Sequence, residues 1–202
     1  AGFTVVGMPD DEEMITHGAV KIPYVMGLIA TRSTDEEVTG IKELIAQHEV
    51  RIRNGIEAYE YLQRIRDGDA SPETRARFEE LKKDIGYGLL LKRYTPEVVD
   101  ATEAQIQAAA RDTIPAVAPM FWSFRIMVAL GFFMLFVFAA SFWYCARRQA
   151  GEKRWLLRLA LYSIPLPWIA AEMGWFVAEY GRQPWSIGEV LPVYLSTSTR
   201  TA

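Results

Sequence analysis

The sequence predicts an all-α chain: a piece of an integral membrane helical bundle with two transmembrane helices, joined to a mostly helical soluble domain on the outer side. Three observations carry this. Residues 127–146 run for twenty residues without a charge. Charge is partitioned, with 14 Lys+Arg and 21 Asp+Glu in residues 1–117 (net −7) against 8 and 4 in residues 118–202 (net +4). Apolar residues upstream recur at spacings of three and four, the helical period. The acidic first region reads as soluble and the second as a membrane domain. Neither has the basic excess of a nucleic-acid binder, so nucleic acid is not an expected partner.

The first forty residues, with MPDDEE and scattered Gly and Pro, show no convincing strand pattern. From about Thr34 to Arg66, Ile41, Leu44, Ile45, Ile52, Ile56, Tyr59, Leu62 and Ile65 mark one helical face, with a skip around His48. Ser71 can cap a helix with Pro72 at its first position, running towards Leu91, where Gly86 and Gly88 loosen its end. A third helix fits Val99 to Asp112 and stops before Pro115.

Met127 to Ala146 (MVALGFFMLFVFAASFWYCA) rises about 30 Å at about 1.5 Å per residue, the thickness of a bilayer core. Phe121 and Trp122 stand at one end, Trp143 and Tyr144 at the other, as an aromatic belt. A second span is expected from about Trp155 to Tyr180, kinked by Pro165 and Pro167 and packed inside a larger bundle. The short connection, RRQAGEKR plus Arg158, holds five basic residues and one acid. The positive-inside rule puts it in the cytoplasm. The expected order is therefore an outer domain (1–117), a transmembrane helix (118–146), a cytoplasmic loop (147–154), a second transmembrane helix (155–180) and an outer segment (181–202). No basic stretch followed by an apolar one opens the chain, so no signal peptide is expected in it, and a processed chain or an internal fragment accounts for Ala1.

One cysteine, Cys145, rules out an internal disulfide and reads as a small buried apolar residue. His17 and His48 read as solvated surface residues, and no His/Cys cluster has metal-site spacing. No phosphate-binding glycine loop or nucleophile elbow is present.

Charge inside a membrane costs at least about 2.5 kcal/mol per group. Arg125, Glu172 and Glu179 therefore need a reason. Arg125 can snorkel to the outer interface; Glu172 is deeper. Trp168, Glu172, Trp175, Glu179 and Arg182 follow one another by four, three, four and three residues, so they share one helical face. Such a face suits a polar cofactor, a proton path or a partner charge; a buried salt-bridge network is the plainer alternative. Met127, two residues after Arg125, offers a thioether able to ligate haem iron, and most methionines are packing residues. On these residues alone, a non-catalytic transporter or proton-channel element using Glu172 and Glu179 is the rival to a redox protein. A structural anchor with an adaptor domain leaves the intramembrane charges unexplained.

GRQPW (Gly181 to Trp185), followed by SIGEVLP, and WFVAEYGRQPW as a whole are similar to a signature of subunit I of the cytochrome bd-type quinol oxidases. FRIMVALG (Phe124 to Gly131) resembles the family's preceding helix. GYGLLLKRYTPEVVDATEAQIQAAARDTIP (Gly86 to Pro115) resembles the rear half of the periplasmic quinol-loop in the long-loop branch. The resemblance implies a multi-pass protein of the bacterial plasma (inner) membrane. It implies an enzyme that oxidises ubiquinol or menaquinol and reduces dioxygen to water with a low-spin haem b, a high-spin haem b and a haem d. It implies Met127 as axial ligand of the low-spin haem b iron, with Arg125 nearby. Glu179 matches the carboxylate at the high-spin haem iron, Trp175 a tryptophan among the haems, and Arg182 the arginine beside their propionates. Glu179 and Trp175 become the candidate catalytic residues. Expected partners are membrane lipid, subunit II, a small accessory subunit and the remaining helices of subunit I. The family's histidine ligands, the front of the quinol-loop and the last helix have no match here, so the chain is expected to be a fragment, inactive alone.

Overall fold

In a computed structural model of the chain, the described residues are 2–11, 14–25, 32, 39–69 and 71–197. They divide into two packing units, Ala1–Pro115 with Arg182–Ala202, and Ala116–Gly181.

The first unit opens with an antiparallel hairpin, β1 (Phe3–Asp10) and β2 (Ile15–Ile22), with Phe3 opposite Ile22, Met8 opposite His17 and Asp10 opposite Ile15. This corrects the all-α expectation. The strands are rich in Val, Ile and Thr, which favour extended backbone. Yet Val6, Met8, Ile15, Val20 and Ile22 are all exposed. Apolar residues therefore stand on the exposed face while Gly7 is buried, so the strands show no alternation of polar-out and apolar-in residues. Two register shifts between Thr4 and Met8 break the pairing further.

The expected helix start at Thr34 lies outside the described residues. From Ile41 to Arg66 one continuous helix, α1, follows the extended Gly40, with Ile52, Gly55 and Ala58 buried. Arg64 and Arg66 in its last turn suit its negative end. Helix α2 (Pro72–Leu81) starts as anticipated: the Ser71 hydroxyl accepts the Thr74 amide at 3.2 Å. It does not run on to Leu91. A 3-10 turn (Lys82–Asp84), a five-residue helix α3 (Ile85–Leu89) and a second 3-10 turn (Leu90–Arg93) follow instead. The cause is a backbone crossing. A Cβ on Gly55 would stand 2.3 Å from the Gly88 nitrogen, so only two glycines let α3 lie this close to α1. Helix α4 (Glu103–Asp112) is held by a capping box in which Gln105 accepts the Thr102 amide at 2.8 Å.

In the second unit, α5 (Val117–Ala146) is thirty residues, about 45 Å long. It holds the one helical stretch among the described residues that is long and apolar enough to cross a membrane. Phe132, Leu135, Phe138 and Phe142 are exposed along it, a surface suited to lipid or to other helices. Cys145 is exposed near its end rather than buried. The stretch expected as a second, kinked span is divided into α6 (Arg154–Ser163) and α7 (Leu166–Tyr180), parted at Ile164 and Pro165. Pro165 has no amide proton to donate and its ring crowds the preceding turn, so the hydrogen-bond ladder is interrupted there while Ile164 and Pro165 keep right-handed helical backbone angles. Tyr144 and Trp155 meet edge to face at 6.1 Å where the chain turns, and Arg147 covers Trp143 at 4.2 Å.

The chain then returns to the first unit. After the cis Gln183–Pro184 bond, β3 (Trp185–Ile187) and β4 (Leu191–Pro192) form a small hairpin leading into α8 (Val193–Ser196). Trp185 joins a core made with Ile52, Tyr87, Leu91, Val98 and Ile106.

Candidate functional site

The intramembrane residues sit on α5 and α7. At about 100° per residue, Trp168, Glu172, Trp175 and Glu179 fall within an arc of about 60° on α7. Trp168 and Trp175 are 73% and 65% exposed, and the Trp168 indole donates to the Glu172 carboxylate at 3.2 Å. Carboxylates on an otherwise apolar helix need cover from a polar partner or from neighbouring helices rather than from lipid. Arg182, expected on the same stripe, lies past Gly181, which ends α7, and belongs to the other packing unit.

Met127 occupies a different face. A Cβ on Gly174 would lie 3.0 Å from its sulfur, so the glycine leaves the thioether room beside α7. Gly174 stands about 130° round α7 from the centre of the stripe. Met127 and Glu179 are therefore presented on separate sides of the helix. Arg125 folds back along its own helix: its guanidinium donates to the Phe121 carbonyl at 2.8 Å and covers the Phe121 ring. Among the described residues no group of three or more His, Cys, Asp or Glu side chains gathers as a metal site. The donors fit haem better than a bare ion: one thioether and one carboxylate on apolar helices, flanked by indoles, with guanidinium groups of the kind that pair with propionates.

Sequence reasoning missed a second polar cluster, in the first unit. Asp84 is 2% exposed and accepts from Arg51 Nε at 2.7 Å and from Asn54 Nδ2 at 3.1 Å. Arg51 also donates through Nη1 to the Tyr87 hydroxyl and to Glu189, and its guanidinium stacks 4.1 Å from the Tyr87 ring centroid. The Tyr87 hydroxyl donates to Glu189 at 3.2 Å, and burial pushes its pKa up to about 12. Trp185 packs against that ring, tilted, at 5.0 Å.

His48 corrects an expectation. It is half-buried, 5.2 Å from the Tyr87 ring, and bonded through Nδ1 to the Thr113 hydroxyl at 2.7 Å. Thr113 gives its one hydroxyl proton to the Ala110 carbonyl, so it accepts from His48, and Nδ1 carries the proton. Burial and then Arg51 hold the imidazole below its ordinary pKa. His17 is exposed on β2, as expected. The skip in apolar spacing at His48 was the available signal: Ile45, His48, Ile52 and Gly55 lie on one face of α1, so a histidine there faces the core. Nothing in the sequence signals that Asp84 is buried.

The family model described as cytochrome bd terminal oxidase subunit I matches residues 1–202. The chain is 44% identical over 201 residues to cytochrome bd-II ubiquinol oxidase subunit 1 of Escherichia coli (strain K12), covering all of this chain and 39% of that protein. It is 37% identical over 87 residues to cytochrome bd ubiquinol oxidase subunit 1 of Bacillus subtilis (strain 168), covering 43% of this chain and 19% of that one. The chain thus spans about two fifths of the length of its E. coli relative.

Proposed function

The chain belongs to the cytochrome bd terminal oxidase subunit I family, and on that premise we propose that it is the part of a respiratory quinol:dioxygen oxidoreductase that supplies one axial ligand to each of two haem irons. Met127 serves the low-spin haem b and Glu179 the high-spin haem. The observation that carries this reading is the placement of the two donors on separate sides of α7, which suits two irons rather than one.

When bound, haem supplies the iron that accepts and passes on electrons. The Met127 thioether is neutral and favours reduced iron. The Glu179 carboxylate would be a hard oxygen ligand to iron, in contrast to the soft thioether of Met127. Trp175 offers an indole face to a macrocycle, and Arg125 and Arg182 offer guanidinium groups to its propionates. A haem d would be the third haem of the complete enzyme.

In this reading α5 is one transmembrane helix, and α6 with α7 makes the second. Residues 1–117 form the rear of the periplasmic quinol-loop and 181–202 a periplasmic segment, with 147–154 in the cytoplasm of a bacterial inner membrane. Ubiquinol or menaquinol is the electron donor. Its partners are subunit II, a small accessory subunit, lipid and the further helices of subunit I, and without those helices the chain is inactive alone. The comparisons give no support to the alternative, a transporter or proton-channel element built on Glu172 and Glu179.

Glu179→Ala in the complete oxidase tests this. The expected result is loss of the high-spin haem signal in the reduced-minus-oxidised spectrum together with oxygen reduction. Unchanged spectra and turnover would remove Glu179 from the site.

A further inference from the structure

Glu189 joins elements far apart in the sequence. Its carboxylate accepts from Arg51 at 3.0 Å and from the Tyr87 hydroxyl at 3.2 Å. Its backbone has φ 58°, a left-handed conformation that costs a side-chain-bearing residue about 1 kcal/mol or more. Such strain survives only where the surroundings impose it. Here they do so twice: the side chain is gripped as above, and a Cβ on Gly86 would stand 2.1 Å from the Glu189 carbonyl oxygen, so α3 lies directly against this turn. Arg51 is itself anchored on buried Asp84.

The hairpin carrying Glu189 is rooted at Arg182. The Trp185 amide donates to the Arg182 carbonyl at 3.0 Å, Trp185 packs on Tyr87, and the Val193 amide donates to the Pro184 carbonyl at 2.9 Å. An unbroken series of contacts thus runs from Arg182 through Trp185 and Tyr87 to Glu189 and Arg51. We propose that Glu189, Arg51 and Tyr87 form a latch that positions the Arg182 guanidinium by clamping its hairpin onto the α1–α3 crossing. The effect on haem rests on the reading that Arg182 pairs with a haem propionate. Glu189, Arg51 and Tyr87 are positioning residues, not catalytic ones.

The experiment uses the complete oxidase with Glu189→Gln, Arg182→Gln and the double variant. Haem midpoint potentials and amide exchange across Trp185–Tyr194 are both measured. Glu189 is half-exposed, so the glutamine variant should fold and keep its haems. Exchange across the hairpin should quicken about five-fold in Glu189→Gln. The potential should fall in Arg182→Gln, fall less in Glu189→Gln, and in the double variant fall no further than in Arg182→Gln. Unchanged exchange in Glu189→Gln overturns the latch. Additive shifts in the double variant overturn action through Arg182. A potential unmoved by Arg182→Gln overturns the haem reading of Arg182 and the latch's link to it, while exchange still judges the latch itself.

Discussion

Gly55→Ala tests the backbone crossing on which the first unit is built. The new methyl carbon would sit 2.3 Å from the Gly88 nitrogen and 2.4 Å from the Asp84 carbonyl oxygen. Ordinary contact begins at 3.4 Å, so α1 and α3 must separate by about 1 Å, with no flexible side chain to yield instead. Overpacking of this kind costs about 1–3 kcal/mol. The same movement stretches the 2.7 Å bond from Arg51 to Asp84, and a lost bond to a charged group costs about 1.5–3 kcal/mol. Together these remove about 4 kcal/mol from the opening free energy of α1 and α3. At about 1.4 kcal/mol per decade, their slowest amides should exchange nearly a thousand-fold faster in the complete oxidase. Gly40→Ala, where the added carbon meets open space, is the control and should change exchange less than about three-fold. A Gly55→Ala protein whose α1 and α3 amides stay within three-fold of the parent would refute the reasoning.

Two further outcomes follow. His48 is held neutral below its ordinary pKa of 6.5, so the unfolded chain takes up a proton that the fold resists. Stability of the first unit should be full above about pH 6.5 and fall as pH drops below it, levelling off below the folded pKa; His48→Gln should flatten this part of the pH profile of amide exchange. Met127→Leu conserves volume and removes the sulfur. It should abolish the low-spin haem b signal in the reduced-minus-oxidised spectrum while the high-spin signal persists, and an intact low-spin signal would exclude Met127 as its ligand.

The long helices were legible because each carries its own signal. The α5 span is a chargeless run, the start of α2 is a Ser-Pro cap, and α4 has helical spacing bounded by a proline. The stripe on α7 was legible for the same reason: Trp168, Glu172, Trp175 and Glu179 on one helix need only the helical period to be placed together, whereas Arg182 lies past the end of that helix. The β1–β2 hairpin was not, because its exposed face carries apolar residues and two register shifts interrupt the pairing, so no alternating pattern is imposed on its residues. The interruption at Pro165 was anticipated because proline removes a backbone hydrogen bond wherever it stands in a helix.

What the sequence determined by itself was local: helix periods, caps, the apolar span, the shared face of Trp168, Glu172, Trp175 and Glu179, and the GRQPW motif. Only the tertiary structure decided that Gly55 meets Gly88, that Asp84 is buried under Arg51, that His48 faces the core, and that Glu189 reaches back 138 residues to Arg51. Those pairings depend on where α1 and α3 cross, and a crossing is set by the fit of two surfaces, which neither stretch of sequence encodes alone.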